Sequence, residues 1–414
     1  MPLPVRSLPT LQNWDCRSCS DCCRSYAVGV SEAERERIAA QNWEGIVATT
    51  FDKSSGSHVL NHKPDGSCVF LGDDNRCRIH AKFGAAAKPM ACRIYPFVLV
   101  PAGDQWRVGL RFACPAAARN EGRPLADHLA ETTEYAALLE TEAGDVVTKS
   151  QPPPLQKGQS VSWTDLQQFR VAVGNLLADA GHPLERRLRQ VVALAALCRK
   201  SVFDKVRGER LSVFLDVISA AVVDETPAQP EAVRPPGWIG RMIFRQIAAI
   251  YGRKDNGPQK GIASTSRWVR IRSAWRYARG KGRVPKLHAK VPDDATFAEA
   301  EMPVGRMPDE AEQMLTRYFR VKVDSLQFCG PSLYGCDFWD GLDTLLLTFP
   351  VIMWLGRVFA ARGAERTESL MLALRAVDDN FGYNKMLASR RQLWATRTLS
   401  ERGEIARLIA WYSR

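Results

Sequence analysis

Apolar residues recur with a helical period through most of the chain beyond residue 118. Leu184, Leu188, Val191, Val192, Ala195 and Leu197 form a stripe near 3.6-residue periodicity, which predicts a helix over 183–200. A partner helix is expected over 163–180, with Gly181, His182 and Pro183 as the turn between the two. Cys198 falls in the stripe and reads as a core residue. Further helices are expected over 124–144, 211–223, 238–251 and 365–376 and at the C-terminal end. Proline-rich breaks at 151–154 and 227–236 separate them, the first reading as a linker. Leu342 to Ala361 is the most apolar stretch, but its uncharged run is about 13 residues, short of the ~20 that a bilayer span needs. It predicts a buried helix kinked at Pro350.

The first 118 residues are patterned differently. Ser31 to Glu34 is a capping box that starts a short charged helix with no chemistry of its own. Phe97–Val100 and Trp106–Phe112 flank turn residues 102–104 and predict a hairpin. Cys68 and Cys77 bracket a second expected hairpin that turns at Gly72–Asn75 and brings the two cysteines together. The fold class expected is mainly α, with a small irregular α+β cysteine-rich N-terminal domain and a helical C-terminal region. The divisions are 1–118, a helical domain at 119–251, a basic linker or arm at 252–310, and a helical region at 311–414 that packs with 119–251.

Composition changes the picture in two places. With 414 residues, 45% hydrophobic and 25% charged, the chain has the makeup of a soluble protein with more than one domain. Its first nine residues hold no apolar leader, so the cytoplasm, where thiols stay reduced, is the expected compartment. The net charge is +12, and residues 253–290 carry 12 Lys and Arg against Asp255, which is +11. Trp268, Ile271 and Trp275 there are spaced for one helix face, with Arg272 and Arg279 on the same side. One reading is an arm for nucleic acid or an acidic protein partner. The other, favoured because no nucleic-acid module accompanies it, is a solvated loop with one helical turn docked on the core.

The candidate chemistry is cysteine. Eight of 11 cysteines lie within residues 16–114, at Cys16, Cys19, Cys22, Cys23, Cys68, Cys77, Cys92 and Cys114. The first four form C-x2-C-x2-C-C. Free cysteines scatter as small apolar residues, so such clustering points to metal ligation, and a disulfide framework would need an oxidising compartment. An iron–sulfur cluster of the 4Fe-4S type is favoured over zinc, because the run lacks the second C-x2-C of a zinc ribbon. Cys16, Cys19 and Cys22 are expected in one site. Cys23, facing away from Cys22, is expected in another that includes Cys77 or Cys92. A lone His80 and the isolated pair Cys329 and Cys336 are left as structural.

Four pieces in order, Cys16 to Cys23, Cys68-Val-Phe-Leu, Cys77-Arg-Ile-His80 and Lys88-Pro-Met-Ala-Cys-Arg-Ile-Tyr-Pro96, carry a resemblance over about residues 14–115. They resemble the CxxCxxCC family of zinc- or iron-chelating proteins that includes flagellin lysine N-methylases. Lys88 stands where that family usually has Arg. The resemblance implies metal-binding cysteines and, less directly, methylation of lysine on a partner protein with S-adenosylmethionine as donor. No G-x-G-x-x-G loop and no C-x3-C-x2-C run is present, so neither a Rossmann methyltransferase nor the usual radical arrangement is expected. Three functions stay open: a metal-dependent lysine N-methylase, a non-catalytic chelating or structural metal protein, and an interaction protein using the basic segment.

Overall fold

The computed structural model describes residues 3–414 apart from 54, 144–149, 255–260, 289, 293 and 362. Its helical body follows the apolar periodicity. Trp163–Ala178 starts at Ser162, whose hydroxyl accepts from the Asp165 N–H, and Leu184–Lys200 runs back against it. The pair buries Leu166, Phe169, Val173 and Leu177 against Leu184, Leu188, Val191, Leu194 and Cys198. The expected stripe holds except at its end. Leu197 is 39% exposed, and Leu194 takes its place in the core. Leu129–Ala143, Glu209–Glu225, Trp238–Gly252, Asp309–Asp324, Arg366–Asn380, Arg390–Glu401 and Glu404–Tyr412 complete the longer helices.

The apolar stretch is two helices, Phe338–Leu346 and Thr348–Ala360. Together they are long and apolar enough to cross a membrane, yet the apolar window is wholly buried inside the protein. The break falls at Leu347 rather than at Pro350. Pro350 sits in the first turn of the second helix, where its missing N–H had no helical partner to lose. The proline-rich 151–154 segment is no loose linker. The N–H groups of Phe338 and Trp339 donate to the carbonyls of Pro154 and Leu155, at 2.8 and 3.1 Å.

Three small sheets occupy the N-terminal part. Phe97–Pro101 and Trp106–Leu110 form the expected hairpin, and Val5–Ser7 adds a parallel strand to its second arm. Gly29–Val30, Ser57–Leu60 and Thr49–Asp52 make another sheet, and Asn13–Trp14 pairs with Arg123–Pro124. The segment from Cys68 to Cys77 is not a strand hairpin. A single bridge joins Leu71 to Cys77, the Gly72 N–H donates to the Arg76 carbonyl, and Cys77 caps the helix Arg78–Phe83. Too few residues separate the turn from the helix for a second arm to form.

The basic segment also departs from the loop expected of it. Arg267–Arg279 is a 13-residue helix, started by a Ser266 cap, that packs on Trp238–Gly252. The buried contacts come from Ser273 and Tyr277, while Trp268, Ile271 and Trp275 face outward. Asp255 and Lys260 of the segment lie outside the described residues.

One apolar core runs from Trp14 and Phe97 through Phe169 and Trp354 to Tyr412, so the hairpin shares its interior with the helices. The cysteine unit keeps a separate small core of Val30, Ile38, Leu60, Phe70 and Ile79. Where the hairpin and the turn after it meet the body, buried polar groups join in. Lys322 and Asp378 form an ion pair at 2.6 Å, with side chains 1% and 0% exposed. The second Asp378 oxygen accepts from the Ala113 N–H at 2.9 Å. Burial lowers the Lys322 pKa, and the Asp378 carboxylate opposes that. Gly109 makes the approach feasible, since a Cβ there would stand 1.7 Å from Gln327 Nε2.

Asp378→Ala leaves the Ala113 N–H unpaired and the buried Lys322 ammonium without its counter-charge, with only Gln327 Oε1 and the Leu110 carbonyl to accept from it, and is expected to cost about 3–5 kcal/mol in denaturant unfolding. Lys322→Met with Asp378→Leu should recover much of that loss. Equal losses in the single and double variants would mean that the pair does not couple the two parts.

Candidate metal centre

The cysteine run is looped by two residues of positive φ, Ser18 at 50° and Ser20 at 57°. Cys22 and Cys23 then lie on the short helix Asp21–Ser25, with sulfurs 4.0 Å apart. The Cys68 N–H donates to the Cys23 carbonyl at 2.8 Å, which ties the second cysteine element to the first. Cys92 lies on the helix Met90–Ile94. That helix is anchored by Glu34, whose Oε1 accepts from the Met90 N–H at 2.6 Å while Oε2 accepts from the Ser31 N–H at 2.9 Å. The capping box therefore does more than start its own helix, because its glutamate also sets the position of Cys92.

Cys22, Cys23, Cys68, Cys77 and Cys92 line one wall of a cavity of about 370 Å³. Cys22 and Cys23 share that wall, where the sequence suggested separate centres. Cys16 and Cys19 are exposed, Cys114 is buried, and none of the three lines the cavity. Cys19 feels the charges of Cys16 and Cys22, and Cys114 that of Cys19, so these thiols form a second neighbourhood beside the first. His80 is exposed, and Cys329 and Cys336 are buried in the helical body. Among the described residues, no three His, Cys, Asp or Glu side chains stand close enough to hold one ion.

Three of the cavity thiols, Cys22, Cys68 and Cys92, are pushed toward the protonated form. Cys22 is pushed up by its hydrogen bond with Cys23 and then by burial. Burial, with the Cys77 and Cys22 charges, raises Cys68 to about 11, and burial raises Cys92 to about 12. Lys88 opposes the shift at both Cys22 and Cys92. Thiols crowded without a cation repel one another's ionised forms, and a bound metal reverses that balance by stabilising thiolate. The donor set, soft sulfurs beside a lysine ammonium, suits zinc, iron or an iron–sulfur cluster.

The facing wall was not visible in the sequence. Tyr26, Tyr95, Arg111, Lys254, Asp379 and Tyr383 line it, drawn from positions up to 357 residues apart, 383 minus 26. The Arg111 guanidinium carbon lies 3.6 Å from the Tyr383 ring centroid and 4.9 Å from that of Tyr26. Asp379 accepts from Arg111 Nη2 at 3.3 Å and from Lys254 Nζ at 2.6 Å. Burial works to raise the Asp379 pKa, but the Lys254 and Arg111 charges outweigh it and hold the carboxyl below its ordinary range. His62 adds a ring nitrogen 3.1 Å from the Tyr26 carbonyl. The only sequence signals for this wall were the Phe381-Gly-Tyr region and the basic character of residue 254, and neither indicated a cavity.

Residues 15–118 match the CxxCxxCC family model, described as "Putative zinc- or iron-chelating domain". The match spans the cysteine unit and the hairpin, and stops before the helical body. No curated protein and no solved structure matches the chain.

The depressed Asp379 carboxyl stabilises the fold fully above the ordinary carboxyl pKa of 3.8, and that contribution fades as pH falls below it. Asp379→Asn is therefore expected to be less stable near pH 7, and to lose less of its remaining stability as pH falls below about 4. Parallel pH profiles of thermal unfolding for the two proteins would rule this out.

Proposed function

We propose that the protein is a metal–thiolate enzyme whose centre faces a substrate cavity, and that it methylates a lysine side chain on a partner protein. One observation carries the reading: five thiols and the Asp379 corner line the same cavity of about 370 Å³. A structural metal is enclosed by its ligands, whereas a working one keeps a side open. Cys22, Cys68, Cys77 and Cys92, which do not stand close enough in this structure to hold one ion, would have to draw together to hold the metal or cluster, with Cys23 beside them. Bound there, it supplies Lewis-acid or electron-transfer chemistry at the thiol wall. S-adenosylmethionine is the methyl donor in this reading.

The opposite corner has the chemistry to hold the amine. Asp379 binds the Lys254 ammonium at 2.6 Å, and that nitrogen stands 4.9 Å from the Tyr26 ring centroid. A carboxylate and an aromatic face are a common pairing for an ammonium ion. An incoming lysine would take the position that Lys254 now holds, with Arg111 remaining to neutralise Asp379. Apolar Val28, Leu60, Phe70 and Ile79 along the cavity give a methylene chain its dry path.

Cys16, Cys19 and Cys114 favour a second, non-catalytic reading for part of the unit. They lie off the cavity, and Cys114 is buried in the large core rather than opening onto a substrate space, which suits a structural metal.

Protein purified without oxygen is expected to carry iron with acid-labile sulfide and a broad visible absorbance. Cys68→Ala and Cys92→Ala should each lower metal affinity by at least about tenfold. With donor and a lysine-bearing partner protein, the intact chain should add methyl groups that mass spectrometry detects, and the cysteine variants should not. Zinc without sulfide or methyl transfer would leave the chelating reading standing. Full metal content in the cysteine variants would remove the basis of both.

A further inference from the structure

The helix Arg267–Arg279 presents an unusual outer face. At 3.6 residues per turn, Trp268, Ile271 and Trp275 fall within about 60° of arc. They are 79%, 49% and 59% exposed, on the side opposite the buried Ser273 and Tyr277. Arg272 and Arg279 flank this strip on one side and Arg267 on the other. All three are exposed, and among the described residues none is paired with a carboxylate. The Arg279 guanidinium carbon lies 4.4 Å from the Trp275 ring centroid, so cation and apolar strip are continuous. The patch extends onto the neighbouring helix, where Trp238 is 70% exposed and shares a groove with Arg279 and Lys281. From residue 256 to 292 the sequence contains no Asp or Glu.

We propose that this face binds an anionic lipid surface, with the helix lying in the plane of the headgroups. Charge complementarity selects a polyanion, and the arrangement of apolar and basic side chains selects a membrane among polyanions. A phosphodiester backbone is met by cations at the outermost positions. Here tryptophans are outermost and arginines flank them, the order that places rings at the acyl boundary and guanidinium groups among phosphates. The inner side of the helix is fixed to the protein through Tyr277, so the strip can enter on the order of 5–10 Å without unfolding anything. The inference is independent of the metal chemistry, because none of these side chains touches the thiol cavity.

The test uses the full chain in flotation with vesicles of phosphatidylcholine alone and of phosphatidylcholine with phosphatidylglycerol. Binding is expected only to the anionic vesicles, weakening as salt rises, with a blue shift of tryptophan fluorescence. Trp268→Ser with Trp275→Ser should lower partitioning by about tenfold or more while leaving circular dichroism and thermal unfolding as in the wild type, since both rings are largely exposed. Three results would each overturn the proposal. These are no binding to anionic vesicles at low salt, binding unchanged in the double variant, and displacement from vesicles by single-stranded RNA at equal phosphate concentration.

Discussion

Two adjacent carboxylates near the end of one helix, Asp378 and Asp379, hold the molecule together in two directions. Asp378 turns into the core, where it meets Lys322 and the backbone of Ala113. Asp379 turns the other way, toward Arg111 and Lys254 at the cavity. A buried charge is tolerated only when paired and hydrogen-bonded, so each carboxylate fixes its partners within tenths of an ångström. The cysteine unit, with its own small core, is tied to the body at Asp21, which pairs with Arg375 and Lys290, and Asp379 lines the cavity beside it.

The same arrangement explains why the chemistry divides between them. Local segments of the first hundred residues bring the sulfurs together: a looped run, a tight turn and a short helix pinned by Glu34. The helical body contributes Lys254, Asp379 and Tyr383, and Tyr26, Tyr95 and Arg111 come from the first part. The family match covers the sulfurs and half of this polar wall. What enters the cavity is therefore set by residues on both sides of the boundary of the matched region.

What the chain discloses by itself follows the range of the interaction. The 163–200 hairpin, the strands at 97–110 and the Ser31 cap are decided by neighbours a few residues apart, and they were legible. The cysteines were legible as candidates because clustering of that residue type has few other causes. Asp379, Tyr383 and Lys254 were not, because their meaning depends on Arg111 and Tyr26, which are remote in sequence. Local rules also misplaced details. Pro350 looked like a kink, but its place in a first turn makes it harmless. Trp268, Ile271 and Trp275 share one helix face as their spacing indicated, but the side docked on the core is that of Ser273 and Tyr277, which the spacing did not single out.

The two ends of the basic segment are fastened to the metal-binding region. Lys254 precedes the Arg267–Arg279 helix and binds Asp379 in the cavity. Lys290 follows it and binds Asp21, at the start of the helix that carries Cys22 and Cys23, at 2.8 Å. The helix is thus a yoke with one rein in the pocket and the other on the cysteines. Any coupling between its outer surface and either attachment would be reciprocal, as linkage requires.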